Sequence, residues 1–172
     1  GACLYDLKRF FVYDSGSFKK NHAGHYCEFC KEIRLIPEGK QACMQSDMKE
    51  AVKLASLYKK PFFHICHVRL CELVVPIMKS DDLLGLVFLG QCRIKNETTF
   101  EKVYARIREL GGERSKFFAL YKTLPVVDKS LLIAMSKFVD LSFKKLIDIH
   151  GEMALIAGLE KNRKDFVQKA IA

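Results

Sequence analysis

No apolar run in this 172-residue sequence approaches the ~20 residues that a helix needs to cross a bilayer. The first residues, Gly1-Ala2-Cys3, do not resemble the start of a secretory signal peptide. These two absences predict a cytoplasmic protein with no membrane partner. Because 49% of the residues are hydrophobic, a chain of this length can bury one substantial core, which favours one domain with a terminal extension.

The sequence also lacks a phosphate-binding glycine loop, an internal repeat and a low-complexity tract. Gly85 and Gly90 are isolated glycines inside a strand pattern, where a bulge or close packing explains them. Nucleophilic catalysis is disfavoured, because His67 should point to the opposite strand face from Cys66 and no third group is evident to orient His64. We therefore predict that the chain is not an enzyme, and a small thiol enzyme is a rival hypothesis.

The excess of basic residues is not concentrated in one segment. The formal net charge is +9, yet residues 1–94 carry 14 basic and 10 acidic side chains and residues 95–172 carry 15 and 10, which gives +4 and +5. This even distribution favours a solvated basic surface over a patch that binds nucleic acid.

The stretch Pro61–Ile94 predicts the sheet. Its apolar and alternating residues divide into three strands, Pro61–His67, Leu70–Lys79 and Leu83–Ile94. Ser80-Asp81-Asp82 supplies the turn between the last two strands. Short strands bracketed by helices predict the α+β class with an antiparallel sheet.

Polar side chains within this apolar sheet predict a small, partly polar cavity. Cys66 and His67 lie at the end of the first strand, Glu72 and Gln91 follow in the next two, and Asp47 precedes the sheet in a helix. Each polar position also has a simpler explanation. Glu72 fits a solvated strand face, Gln91 fits a backbone contact or exposure, and Asp47 fits a residue that favours the helix dipole.

Helices precede and follow the sheet. Glu28–Leu35 is a predicted short helix that ends near Pro37, and Gln41–Lys59 is a second helix with a face that should lie on the sheet. That face consists of Met44, Met48, Val52, Ala55 and Tyr58. The later helices are Phe100–Leu110 and Arg114–Tyr121. At the start of the chain, Leu4–Tyr13 fits a helix or a strand, and Asp14–Gly24 fits a loop.

A long exit helix is predicted to begin after Asp128, which would cap it. Apolar positions within it alternate steps of three and four residues, as in a coiled-coil seam. The seam consists of Leu132, Met135, Val139, Ser142, Leu146, Ile149, Met153 and Ile156. It predicts a homodimer through residues 132–156, while the alternative packs these residues on the chain's own core. Four apolar residues outside the seam indicate some packing on the chain's own domain: Leu131, Phe138, Leu141 and Phe143.

Seven cysteines, an odd number, follow no export signal and show no scaffold-like spacing, so reduced thiols are predicted. Cys27 and Cys30 form a CxxC motif beside a short helix, Cys43 begins the next helix, and Cys66 and Cys71 lie in the sheet. Thiolates suit a soft ion such as zinc, which takes four tetrahedral ligands. The alternative is that the thiols are buried as small hydrophobic groups.

An ordered set of short signatures runs through the chain: Phe29-Cys30, Cys43 with Ser46-Asp47, Cys66-His67 with Leu70 and Glu72, Pro76-Ile77, and Gly90-Gln91. In this order they resemble the PocR sensory domain, the ligand-binding module of AraC-type bacterial regulators and of some histidine kinases. The resemblance covers about residues 30–94. It implies a PAS-like fold, in which an antiparallel sheet flanked by helices encloses a pocket for small alcohols or diols.

The chain departs from that family at two points. Where the family has Cys-His-Ala-Gly-Leu, this sequence has bulkier residues at Val68 and Arg69, which changes the expected size of the pocket. Cys27 lies outside the family pattern. If a zinc ion is bound, the resemblance favours the thiols that match the pattern, Cys30, Cys43 and Cys66, as its ligands.

A second resemblance lies at residues 166–171, Phe-Val-Gln-Lys-Ala-Ile, which resemble the opening of the first helix of an AraC-type DNA-binding domain. The resemblances divide the chain into a sensory domain at 1–126, a connecting helix at 127–160 and a linker or first DNA-binding helix at 161–172. They imply a sensor fragment that binds a small organic effector and contacts DNA only through a domain beyond residue 172. The rival hypothesis is a cysteine-based metal or redox sensor.

Overall fold

The computed structural model describes residues 2–8, 25 and 27–171, with side chains up to 153 and at 156, 158–160 and 163. One sheet contains the strands β1 (Ala2–Asp6), β2 (Phe62–Ile65), β3 (Cys71–Lys79), β4 (Asp82–Ile94) and β5 (Val126–Val127). The first four pair antiparallel in the order β1-β4-β3-β2, and β5 joins β4 in parallel. The predicted α+β class with a PAS-like antiparallel sheet is confirmed.

The helices flank this sheet in the predicted order: α1 (Glu28–Leu35), α2 (Pro37–Gln45), a π-helical turn (Ser46–Glu50), α3 (Ala51–Tyr58), α4 (Phe100–Glu109), α5 (Arg114–Thr123) and α6 (Lys129–Ile171). The bounds of α1 are as predicted. The second helix begins at Pro37 rather than Gln41, because Ile36 is extended and a proline needs no N–H partner in the first turn of a helix.

The predicted sheet-facing residues of the second helix are wrong in part. Met44 and Met48 are exposed at 58% and 39%, whereas Ala51 and Ala55 are fully buried in a cluster with Phe88 of β4. The π turn adds a residue to one helical turn and therefore rotates the face that the helix presents to the sheet. That rotation also buries the two polar residues at the start of the π turn, Ser46 and Asp47.

Helices cover both faces of the central β3–β4 hairpin. Because successive strand residues point to opposite faces, Val74 joins the cluster with α3, while Leu73 and Val75 join the cluster with Leu132 and Ile147 of α6. A third cluster brings α1, α4 and α5 together around the connection between β2 and β3. This connection and the sheet face covered by α3 contribute residues to the site described below.

Two apolar faces run along α6. The inward face contains Leu132, Val139, Phe143 and Ile147, which pack on β3 and β4. Of the other seam residues, Ser142 is half-buried and the rest are exposed. Three of the four residues outside the seam that were expected to pack inward are also exposed, so that prediction holds for Phe143 alone. The exposed apolar residues of the helix are Leu131, Ile133, Met135, Phe138, Leu141, Leu146, Ile149, Met153, Ile156 and Leu159.

The start of the chain contributes an edge strand. Strand β1 (Ala2–Asp6) includes the first three residues of the ambiguous segment Leu4–Tyr13, and it pairs with β4. Residues 9–13 and the predicted loop Asp14–Gly24 lie outside the described residues. Within the described part of the chain, no helix combines the length and the apolar character needed to cross a membrane.

Candidate functional site

The site is centred on a β-bulge in the β3–β4 hairpin. The register shifts by one between Cys71 and Leu73, so that Gly90 and Gln91 together oppose Glu72. A Cβ added to Gly90 would lie 2.8 Å from the Cα of Glu72, so only glycine permits this approach. Gln91 is the extra residue of the bulge, and its φ of 58° lies in the left-handed region.

The side chain of Gln91 ties β4 to the start of α1. Its Oε1 accepts a hydrogen bond of 3.1 Å from the backbone N–H of Cys27, the N-cap residue of that helix. Gln91 is buried, so this bond satisfies an amide oxygen that would otherwise be costly to enclose. Of the explanations available from the sequence, the backbone contact is correct.

Three buried ionisable groups meet beside the bulge. His25 Nδ1 lies 3.3 Å from Oε1 of Glu72 and 3.6 Å from Oδ2 of Asp47. The Tyr5 hydroxyl of β1 donates to the same Asp47 oxygen at 3.5 Å. Glu72 is only 1% exposed, so a solvated strand face is the wrong explanation for it. The cluster therefore combines side chains from one face of the sheet, from the π turn and from the N-terminal part of the chain.

Burial decides the protonation of this cluster. It raises the pKa of Glu72 well above its usual range, and it raises the pKa of Asp47 to about 6. Burial also lowers the pKa of His25 to about 4. In all three cases burial disfavours the charged form of the side chain.

Thiols and a second histidine extend the cluster. Cys43 Sγ lies 3.1 Å from Nε2 of His67. Burial raises the pKa of Cys43 to about 12 and lowers the pKa of His67 to about 4, so the two form a neutral hydrogen-bonded pair rather than an ion pair. The pKa values of Cys30 and Cys66 are also raised, for Cys30 first by the hydrogen bond with Cys27 and for Cys66 by burial.

These groups enclose a small hollow with about 10 Å³ of space, enough for one water-sized group. Its walls are His25, Cys30, Ile33, Cys43, Asp47, Cys66, His67, Val68 and Glu72. A larger cleft of about 460 Å³ lies outside it, between the β2–β3 connection and α4. Cys66 and His67 line both spaces, so they form the partition between the hollow and the cleft.

Comparison with known protein families matches residues 7–150 to the family described as the sensory domain found in PocR. The chain belongs to the PocR sensory-domain family. It is also 23% identical over 117 residues to the regulatory protein PocR of Salmonella typhimurium, an alignment that covers 68% of this chain and 38% of that protein. The chain therefore spans well under half of this relative's length. No solved structure matches it.

In this PocR domain, Cys66 and His67 do not lie on opposite faces of a strand, as was predicted. Strand β2 ends at Ile65, so Cys66 and His67 lie in a turn, where the alternation of strand faces does not apply, and both line the hollow. The turn is closed by a hydrogen bond of 2.8 Å from the Arg69 N–H to the Cys66 carbonyl. Arg69 has a φ of 65° where the family pattern has glycine, which explains that glycine. Its side chain is exposed and does not fill the hollow.

Most residues that the sequence singled out lie together in the PocR domain. Cys66, His67, Glu72 and Asp47 line the hollow, and Gln91 lies beside it on the bulge. The thiols assigned to zinc, Cys30, Cys43 and Cys66, line the same hollow. In the described part of the chain, however, the group whose donor atoms all lie within 4.8 Å of one another is His25, Asp47 and Glu72. Zinc binding by the thiols stays a prediction.

Two residues of the cluster, His25 and Tyr5, were not predicted from the sequence. Each lies far along the chain from its partners, and neither belongs to a spaced motif. The one available signal was the pair of carboxylates at Asp47 and Glu72, because two buried acids require a nearby donor or cation.

Proposed function

We propose that this PocR domain binds a small organic effector, such as an alcohol or diol, in the hollow between His67 and Glu72. The observation that supports it is the convergence of buried polar groups from separate elements on one enclosed space. Glu72 Oε2 and His67 Nδ1 have no hydrogen-bond partner among the described residues. A hydroxyl group both donates and accepts, so an alcohol can satisfy such atoms. The proposed role is recognition without catalysis.

Effector entry requires a change of shape. The hollow holds one water-sized group, so an alcohol or diol fits only when the walls move. The outer cleft leads to the partition formed by Cys66 and His67, and the turn that carries them is the part we expect to move. Because the effector gains contacts only in the opened arrangement, it shifts the population toward that arrangement.

The bulge provides the route for the signal to α6. Glu72 faces the hollow, while its neighbours Cys71 and Leu73 belong to the cluster on the opposite sheet face, which contains Leu132 and Ile147 of α6. A displacement of β3 at Glu72 therefore acts on the packing of α6. We propose that α6 passes this change to an AraC-type DNA-binding domain that follows residue 172. The effector site and the DNA-binding site would then be coupled through α6.

Dimerisation through residues 132–156 is part of the proposal. The exposed apolar face of α6 includes Met135, Ile149, Met153 and Ile156, and a second copy of the same helix would cover it. Effector binding would then change how two copies of α6 pair, and so set the spacing of two DNA-reading domains. This function requires a cytoplasmic location, where the DNA is accessible.

A thermal-shift experiment tests effector binding. The purified chain is screened against small alcohols, diols, aldehydes and amines, and we expect an alcohol or diol to raise Tm, because a ligand of the folded state stabilises it. Glu72→Gln should abolish this shift, while Glu38→Gln on the exposed surface of α2 should keep it. The proposal is contradicted if the Tm shift is unchanged in Glu72→Gln. It is also contradicted if residues 1–172 alone bind DNA tightly and with sequence specificity.

A redox or metal sensor is the second candidate, and the CxxC motif favours it. The hydrogen bond from the Cys30 thiol lowers the pKa of Cys27 to about 7, so Cys27 carries substantial thiolate at neutral pH. Measuring zinc and iron in the purified protein and titrating its free thiols distinguishes this function from effector sensing. If the unchanged chain binds a stoichiometric amount of metal and Cys43→Ser loses both the metal and the fold, the thiols are favoured as metal ligands.

A further inference from the structure

The spacing of three buried donor atoms matches that of ligands around one metal ion. His25 Nδ1 lies 3.3 Å from a Glu72 oxygen and 3.6 Å from an Asp47 oxygen, and the three donor atoms lie within 4.8 Å of one another. Ligand atoms about 2.1 Å from a central ion lie roughly 3.0–3.5 Å apart at octahedral or tetrahedral angles. Only small side-chain movements would bring these three atoms into a coordination sphere.

An unsatisfied carboxylate oxygen supplies independent evidence for a ligand. The second oxygen of Glu72, Oε2, is buried and has no hydrogen-bond partner among the described residues, although the side chain is only 2% exposed. A buried carboxyl oxygen without a partner carries a large desolvation penalty. A cation beside Glu72 removes that penalty, because both oxygens then face a positive charge.

The side-chain composition of the cluster also favours a cation. Two carboxyl groups contact one imidazole, and among the described residues no lysine or arginine forms an ion pair with Asp47 or Glu72. The hollow beside them has about 10 Å³ of space, which suits one ion or water and nothing larger. The Tyr5 hydroxyl, 3.5 Å from the Asp47 oxygen, is placed to orient that carboxylate.

We propose that His25, Asp47 and Glu72 bind one divalent first-row transition-metal ion, of the Zn²⁺, Fe²⁺ or Mn²⁺ class. One imidazole and two carboxylates suit these ions. Ca²⁺ takes six to eight oxygen ligands, and Mg²⁺ retains several waters, so the small hollow disfavours both. All three side chains line the hollow, so any further ligand would reach the ion from there. The site differs from the thiol site predicted from the sequence, because its ligands are nitrogen and oxygen atoms.

The metal site does not depend on effector binding. If the function proposed above is also correct, the open coordination positions lie where that function places an effector hydroxyl group. The two ideas are separable by experiment, since metal binding is measured without an alcohol and the thermal shift with alcohols is measured on both metal-free and metal-loaded protein.

Metal titration of the purified 172-residue chain tests the site. After a chelator has removed bound metal, titration with Zn²⁺ or Mn²⁺ in a calorimeter should show one equivalent bound, and the metal should raise Tm. His25→Ala, Asp47→Asn and Glu72→Gln should each weaken binding more than about tenfold. The surface control Glu38→Gln should bind the metal as the unchanged chain does, and Cys43→Ser should still bind one equivalent, because no thiol is a proposed ligand. Far-UV circular dichroism checks that each variant is folded.

Cobalt substitution gives a test that needs no variant. Co²⁺ in the proposed site should show weak visible ligand-field bands and no intense thiolate-to-cobalt charge-transfer band, because no sulfur is a ligand. A charge-transfer band, metal binding lost in Cys43→Ser but kept in His25→Ala, or no binding of Zn²⁺, Mn²⁺ or Co²⁺ would each overturn the proposal. Metal binding without any alcohol-induced shift would leave the metal site intact and count against the effector.

Discussion

Gly90 faces Glu72 across the central hairpin so closely that an added Cβ would lie 2.8 Å from both the Cα and the Cγ of Glu72. The missing side chain of Gly90 is what lets Glu72 stand inside the domain rather than at its surface. Gln91, the next residue, takes a left-handed backbone conformation and holds the first turn of α1. The position of the Glu72 carboxyl group therefore depends on Gly90, which has no side chain that could contact a ligand.

Gly90→Ala should destabilise the domain. The added methyl group has no space beside the backbone of Glu72, so the bulge must shift, and we expect the free energy of unfolding to fall by about 1–3 kcal/mol. Chemical denaturation in urea measures it. Gly151→Ala in α6 is the matched control, because its added Cβ would meet no atom of the described residues within 4 Å apart from the adjoining helix backbone, and it should stabilise the helix by about 1 kcal/mol. Equal stability of Gly90→Ala and the unchanged chain would contradict the bulge geometry.

Arg69→Gly should stabilise the domain. Arg69 has a φ of 65° in the turn after Cys66, a conformation that glycine adopts without the steric cost that a side chain carries. We expect a gain of about 1 kcal/mol in the free energy of unfolding, measured in urea. Arg108→Gly on the exposed surface of α4 is the control and should lose about 1 kcal/mol, because glycine is a poor helix former. A loss of stability in Arg69→Gly would show that the turn is not left-handed there.

Cys27 should be the thiol that reacts first with an alkylating agent. Its pKa is lowered to about 7, first by the Cys30 hydrogen bond, and it is only half-buried. The thiolate is the reactive form, so the rate of iodoacetamide modification should rise with pH and reach half its maximum near pH 7. Peptide mass spectrometry identifies the modified residue. Cys43, with a pKa of about 12, is the internal control and should remain unmodified at pH 7.

Introducing negative charges on the exposed apolar face of α6 should dissociate the proposed dimer. Ile149 and Met153 are exposed at 40% and 65% and lie on the face that we propose pairs with a second copy. Ile149→Glu combined with Met153→Glu should raise the dimer Kd more than tenfold, because like charges would meet across an apolar contact. Analytical ultracentrifugation measures the Kd.

Lys144→Glu on a charged part of the same helix is the control, and it should leave the Kd within about threefold of the unchanged value. A chain that is monomeric at every concentration tested, or a double variant that dimerises as before, would contradict pairing through this face.

The local pattern of apolar and polar residues was sufficient to predict most of the helices and strands and part of the site. Period-two and period-three-to-four spacing predicted the β3–β4 hairpin and placed α1 correctly, because burial of one face constrains the sequence of a strand or helix directly. Unusual polar residues in an apolar sheet pointed to Glu72 and Gln91, because a buried polar group must have a partner.

Tertiary structure decided what those residues contact. Spacing cannot reveal that His25 lies between Asp47 and Glu72, since residues distant in sequence meet only through the packing of the whole sheet and its helices. The π turn rotated the second helix, and the sheet selected which of two apolar faces of α6 is buried. The sequence by itself determined the strands β2, β3 and β4, most of the helices and the family, but neither β1 nor β5. The fold decided the composition of the hollow, because side-chain convergence is a property of three-dimensional packing.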